Sequence, residues 1–182
     1  MSADRSVPGS AEAAELAEDL LAGLATDVYQ EKDRIVIALM PDVLPEAALR
    51  LRDHARLSFK YLSFVSGIDY EDRMDAIYIL RSVNHQVVAE LRVRLDRGQP
   101  VVPTVSNVWS TAGWHEREAY DLLGIVFEGH PDLRRILTRG EDGVFPLRKD
   151  AQPHRVRRDE WRFDGIAEPR RLPGEGGREQ RS

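Results

Sequence analysis

The densest run of side chains able to do chemistry is Trp114-His115-Glu116-Arg117-Glu118-Ala119-Tyr120-Asp121-Leu122-Leu123-Gly124. On a helix, His115 and Glu118 stand one turn apart, and so do Arg117 and Asp121. A metal site would take His115 and Glu118 as ligands, with His130 or His154 arriving from elsewhere. The His-Glu-x-x-His spacing of zinc hydrolases is not met, because its second histidine falls on Ala119. Ion pairs on a helix surface are the commoner use of such residues, and Arg117 with Asp121 is the expected pair. Glu116, Glu118 and Asp121 could supply a carboxylate pair for acid–base work, but nothing in the sequence fixes their separation. There is no Gly-x-Ser-x-Gly elbow, and Gly140-Glu141-Asp142-Gly143 is too acidic to cradle a phosphate. By motif logic this is a globular domain without an active site of its own.

Composition narrows the reading further. The chain has 182 residues, a formal net charge of −5 and no cysteine. Disulfides, thiolate catalysis and cysteine-ligated zinc or iron–sulfur centres are thereby excluded. Without a wide basic field, nucleic acid is not an expected partner. No run approaches the roughly 18 apolar residues of a membrane helix, and the clean apolar run at 35–40 is strand-sized. The first residues lack a basic-then-apolar leader pattern, so a water-soluble chain without a membrane span is expected.

The elements that must position the motif follow from periodicity. Residues 1–10 are polar and expected to fray, with Ser10 as a helix N-cap. Ala13, Leu16, Ala17, Leu20 and Leu24 then recur at helical spacing. Strands are expected at 26–30 and 34–40 around the turn Glu31-Lys32-Asp33-Arg34. A helix opening near Pro45 follows, with Leu44, Ala48, Leu51 and Ala55 as its apolar stripe. Three more strands are expected at 61–68, 76–83 and 87–95, the last two joined by Asn84-His85-Gln86. In the third, Val87, Ala89, Leu91, Val93 and Leu95 face one way, and Glu90, Arg92 and Arg94 the other. The order α-β-β-α-β-β-β predicts an α+β fold: a mostly antiparallel sheet with helices packed on one face. Beyond it, 104–123 reads as helix in two pieces broken near Gly113 and stopped by Gly124. Residues 130–137 read as a short helix with Pro131 in its first turn. The α+β domain is thus expected over 11–151. From 152 to 182 the chain is charged, punctuated by Pro153, Pro169 and Pro173, and poor in apolar residues, so an extended C-terminal tail is expected. Trp161 and Phe163 suit a tail that orders along a partner's surface.

Glu116-Arg117-Glu118-Ala119-Tyr120-Asp121-Leu122-Leu123-Gly124-Ile125-Val126-Phe127 is followed by His130-Pro131-Asp132-Leu133-Arg134-Arg135-Ile136-Leu137 and, after a gap, by Pro146-Leu147-Arg148-Lys149-Asp150. Residues 114–150 resemble the C-subunit family of bacterial NADH:quinone oxidoreductase, the small hydrophilic core component of respiratory complex I. Two departures stand out. Asp142 and Val144 occupy places where the family usually has an aromatic and then a glycine, and Ala151-Gln152 replaces an aromatic and a proline. The resemblance implies a cofactor-free scaffold subunit of the peripheral arm, on the cytoplasmic side of the cell membrane. It would dock the quinone-site subunit, related to the hydrogenase large subunit, and neighbouring iron–sulfur subunits. FMN, the iron–sulfur clusters, NADH and quinone would reside on those partners, and the complex would couple electron transfer to proton translocation. Relatives in membrane-bound hydrogenase-type and ferredoxin-fed complexes make an equivalent scaffold there the alternative.

On that reading, Arg117 pairs with a nearby carboxylate, while Tyr120, Leu123 and Phe127 fix the helix to the domain. Arg134, Arg135, Arg148 and Lys149 then reach acidic or carbonyl groups on partners, where truncating a buried pair costs about 2–5 kcal/mol. The alternative is that these cations cap carbonyls of their own chain.

Overall fold

The computed structural model describes residues 9–138 and 144–151. Helix α1 (Ser10–Leu20) starts one residue earlier than expected, with Gly9 as its N-cap and no side-chain cap bond. It leads into the hairpin of β1 (Ala25–Glu31) and β2 (Arg34–Leu39), turned through Lys32 at φ 56°. A 3₁₀ turn, Pro41–Val43, precedes α2 (Leu44–Asp53), which has Pro45 in its first turn. The helix ends before Ala55, because His54 turns extended and its Nδ1 accepts the Leu57 N–H at 3.2 Å. Strands β3 (Tyr61–Asp69), β4 (Met74–Ser82) and β5 (Val87–Leu95) follow.

The sheet order is β1-β2-β5-β4-β3. All neighbours are antiparallel except β2 and β5, which run parallel with Ile37 opposite Leu91. The fold is the expected α+β arrangement. One sheet face supplies Ile35, Ile37, Tyr78, Leu80, Leu91 and Val93 to a core completed by Ala13 and Ala17 of α1 and by Leu44, Ala48 and Leu51 of α2.

Beyond β5 the structure departs from expectation. Two three-residue strands, β6 (Val101–Pro103) and β7 (Val126–Glu128), pair in parallel. Helix α3 runs Ala112–Leu123, so Gly113 lies inside it and residues 104–111 form turns before it. Val105 and Trp109 bury there, the Trp109 indole donating to the Phe59 carbonyl at 3.1 Å. No helix forms over 130–137, a correction whose cause lies in α3.

Candidate functional site: the buried acids of helix α3 and the loops they hold

Helix α3 packs Ala112, Ala119 and Leu123 against the core, yet it also buries Glu116, Arg117 and Asp121. Buried charges persist only when their polar atoms are matched. Asp121 Oδ2 accepts the backbone N–H groups of Ile136, Leu137 and Thr138 at 2.9, 2.6 and 2.9 Å. Its Oδ1 accepts from the Thr138 hydroxyl at 2.5 Å and from Arg135 Nη1 at 3.2 Å. Those N–H groups therefore have an acceptor 15–17 residues away, and a helix over 130–137 would take them from it. Burial by itself would raise the Asp121 pKa, but the Thr138 hydroxyl and the three N–H donors outweigh it and hold the carboxyl well below its usual range.

Glu116, fully buried, organises the other side. Its Oε2 accepts from the Thr104 hydroxyl at 2.5 Å and its Oε1 from the Val105 N–H at 2.8 Å. These bonds commit residues 104–105 to a turn in place of the expected helix. Burial pushes the Glu116 pKa up despite them. His130 stands 3.9 Å from Glu116, with Nε2 3.0 Å from the Gly113 carbonyl and Nδ1 accepting the Asp132 N–H at 3.0 Å. An accepting Nδ1 leaves the proton on Nε2.

The predicted cations divide by surroundings. Arg117 does not meet Asp121, as the sequence suggested. It stacks over Trp114 at 5.0 Å, donates to the Arg134 carbonyl at 3.1 Å and stands 3.7 Å from Asp132. Arg135 also bonds the Val144 carbonyl at 3.1 Å, and Arg148 donates to the Leu123 carbonyl at 2.7 Å. Both guanidiniums lie 4.8 Å from the Phe145 ring. Arg148 thus caps a carbonyl of its own chain, while Arg135 joins the Asp121 and Val144 carbonyls to the Asp121 carboxylate and the Thr138 hydroxyl. Lys149 keeps an exposed ammonium 3.5 Å from Glu71, while its backbone N–H donates to Asp69 at 2.9 Å. Arg134 points outward, its side chain 73% exposed and paired only with Asp132 at 3.0 Å among the described residues. Elsewhere in the motif Trp114 is 65% exposed, Leu137 63% and Leu147 59%. Trp161 and Phe163 lie outside the described residues.

His115 and Glu118 sit 4.0 Å apart at the surface, but His130 joins Glu116 instead of them. Among the described residues no group of three His, Asp or Glu is placed to hold a metal ion. Sequence reasoning missed the roles of Asp121, Glu116 and Phe145. It also missed Asp69, whose carboxylate takes Arg97 at 2.7 Å as well as Lys149. The available signal was acids inside an otherwise core-facing helix.

Fold and site together define an α+β domain whose charged motif is bonded chiefly inward, closing its own irregular segments. The family model for the respiratory-chain NADH dehydrogenase 30 kDa subunit matches residues 37–156, and the chain belongs to that family. Its relatives include the NADH-quinone oxidoreductase C subunit of Chlorobium phaeobacteroides, 47% identical over 60% of this chain and 68% of its own length. That of Acidithiobacillus ferrooxidans is 39% identical over 74% of this chain and 71% of its own. The match spans about half, 49%, of the counterpart from Chloroherpeton thalassium. A trypsin-resistant fragment of Nqo5 superposes with a TM-score of 0.55 at 28% identity, over 65% of this chain and 97% of the fragment. A chain of the archaeal membrane-bound sulfane sulfur reductase superposes with 0.67 at 22% identity, over 86% of this chain and 95% of that one, a likeness of fold alone.

Proposed function

We propose that the chain is a cofactor-free scaffold subunit in the peripheral arm of a proton-pumping NADH:quinone oxidoreductase. It would lie on the cytoplasmic face of the membrane and dock the quinone-site subunit and its iron–sulfur neighbours. FMN, the clusters, NADH and quinone would be held by those partners, and Trp161 and Phe163 would extend the contact. The observation that carries the reading is the division within the family motif. Arg135 and Arg148 are bonded inside the chain, while Arg134 stands outward and Trp114, Leu137 and Leu147 of the same motif are exposed. Exposed arginine and aromatic side chains around an apolar patch are the composition of a protein–protein contact. No described helix is long and apolar enough to cross a membrane, which fits attachment through partners.

A fold shared with a sulfane sulfur reductase chain leaves an equivalent place in a complex with a different electron donor as the second reading. The test of both is a pull-down of the N-terminally tagged full chain from gently solubilised native membranes. Recovery with flavin, iron–sulfur and quinone-site subunits is expected. A nickel-binding or ferredoxin-fed set would select the second reading, and recovery of the chain alone would overturn both. Arg134→Glu should lower recovery of the quinone-site subunit several-fold, since like-charge contact across an interface costs several kcal/mol.

A further inference from the structure

On the second face of the sheet the centre is buried, with Val36 at 0% and Ile77 at 6% exposure, while Phe64 and Ile68, which remain exposed, lie along β3. The helices pack on the face that holds Ile37, Tyr78 and Leu91, whereas Val36, Ile77 and Ile79 are buried apart from that core. Register defines what this face offers along β3, β4 and β5. Tyr61 lies opposite Arg81, Phe64 opposite Ile79, and Ser66 opposite Ile77. Ile68 lies opposite Asp75, which in turn pairs with Arg94. The result is an apolar strip in which Phe64 is 43% and Ile68 41% exposed, with an arginine at each end.

The acids on the β4–β5 half of this face lie beside arginines other than Arg81 and Arg94, although Asp75 Oδ1 accepts no hydrogen bond. Glu90 is closed by Arg34 at 2.9 Å and Arg92 at 2.6 Å, and Asp75 lies 3.4 Å from Arg73. Arg81 and Arg94 differ: both are exposed, and neither side chain makes a hydrogen bond or ion pair among the described residues. Arg81 pairs with Val88, six positions before Arg94 on β5. At ~3.3 Å per residue the two cations stand roughly 20 Å apart. Two unneutralised guanidiniums flanking hydrocarbon, on a chain of net charge −5, call for an occupant with its own apolar patch and acids.

Resting on the reading that the chain works inside a complex, we propose that this β3 margin of the sheet face, between Arg81 and Arg94, docks a neighbouring subunit. That neighbour's surface would carry an apolar patch between two carboxylates about 20 Å apart. The chain's own segment 152–182 suits the face poorly, because its eight arginines against six acids repeat the sign of Arg81 and Arg94. An anionic lipid surface suits it poorly too. Asp27 and Glu31, on the β1 edge of the same face, would meet uniform negative charge.

The experiment places a photo-crosslinking residue at Phe64 or Ile68 of the full chain in native membranes, with the same label at exposed Leu137 of the family motif as a control. The expected result is an adduct between the Phe64 or Ile68 label and another subunit of the complex. Combining the label with Arg81→Glu and Arg94→Glu should reduce that adduct at least about tenfold. An adduct to lipid, to a second copy or to the chain's own 152–182 overturns the proposal. So does no adduct at 64 or 68 while the Leu137 label reaches a partner, which leaves the scaffold reading standing. If all labels are silent and the chain purifies alone, both fall.

Discussion

The five-stranded sheet and the segments around α3 reach order by different means. In the sheet, alternation does the sorting: β5 sends Val87, Ala89, Leu91, Val93 and Leu95 to the core and its charged residues to the other side. Ladder bonds satisfy the backbone there, so side chains are free to pack. Around α3 the roles are reversed. Residues 104–106, 130–138 and 144–151 lie outside the helices and the five-stranded sheet, and much of their pairing comes from side chains: Glu116 for Val105, Asp121 for 136–138, Arg148 for the Leu123 carbonyl and Asp69 for Lys149. Buried carboxylates can therefore give irregular backbone the hydrogen-bond partners that a ladder gives a strand. Such a region tolerates exchange of one apolar side chain for another far better than it tolerates loss of one acid.

Asp121→Ala breaks this comparison most sharply. It removes the acceptor of three backbone N–H groups, the Thr138 hydroxyl and the Arg135 guanidinium at once. Breaking a buried pair while leaving its partner in place costs about 3–5 kcal/mol. Hydrogen exchange should show protection lost at the amides of 136–138 while those of β5 stay protected. Equal loss in both regions would mean that the sheet depends on these loops and that the two do not hold order independently.

Gly124→Ala should come next. Gly124 ends α3 at φ 74°, its N–H bonding the Tyr120 carbonyl at 2.9 Å. An added Cβ would also stand 2.7 Å from the Phe145 ring, which Arg135 and Arg148 flank. Left-handed strain of about 1 kcal/mol or more and displacement of Phe145 act together, for a loss of roughly 1–3 kcal/mol in a denaturant titration. Gly23→Ala, at φ 82° with open space around it, isolates the backbone share and should cost less. Equal losses at the two sites would remove Phe145 from the account.

The same division explains what could be read from the sequence. Strand 87–95 was legible because its alternation is local, and Gly124 because a helix stop is a single-residue signal. The parallel pairing of β2 with β5 was not, since residues 40–86 intervene and periodicity carries no record of which strands meet. Strands β6 and β7 are three residues long, too short for alternation to show. At 130–137, Leu133, Ile136 and Leu137 keep a helical spacing, yet the local pattern loses to the Asp121 carboxylate far back in the chain. Asp121 was misassigned for the matching reason: four residues from Arg117 it reads as a surface pair, and only the fold shows it facing inward. Family resemblance located the motif, but spacing could not show that Arg135 and Arg148 turn to their own chain.

The smallest effect expected is on the pH dependence of stability, where the two buried acids of α3 should pull in opposite directions. Asp121 has a folded pKa below its unfolded value, so its contribution is complete above the unfolded carboxylate range near ~3.9 and fades as pH falls toward the folded value. Glu116 has its folded pKa raised by burial. The folded state therefore holds a proton that the unfolded state has released, and the Glu116 contribution is greatest below the unfolded value near ~4.3. It is lost as pH rises through the folded value. Glu116→Gln should remove the decline on the high-pH side of that window while leaving the acid limb that Asp121 sets. Asp121→Asn should do the reverse, flattening the acid limb and leaving the decline. Urea titrations of both variants between about pH 3 and pH 7 separate these limbs, because a carboxylate titrates over that range. If Glu116→Gln instead flattened the acid limb, Glu116 would be ionised in the fold throughout, and the Thr104 and Val105 bonds, not burial, would decide its charge.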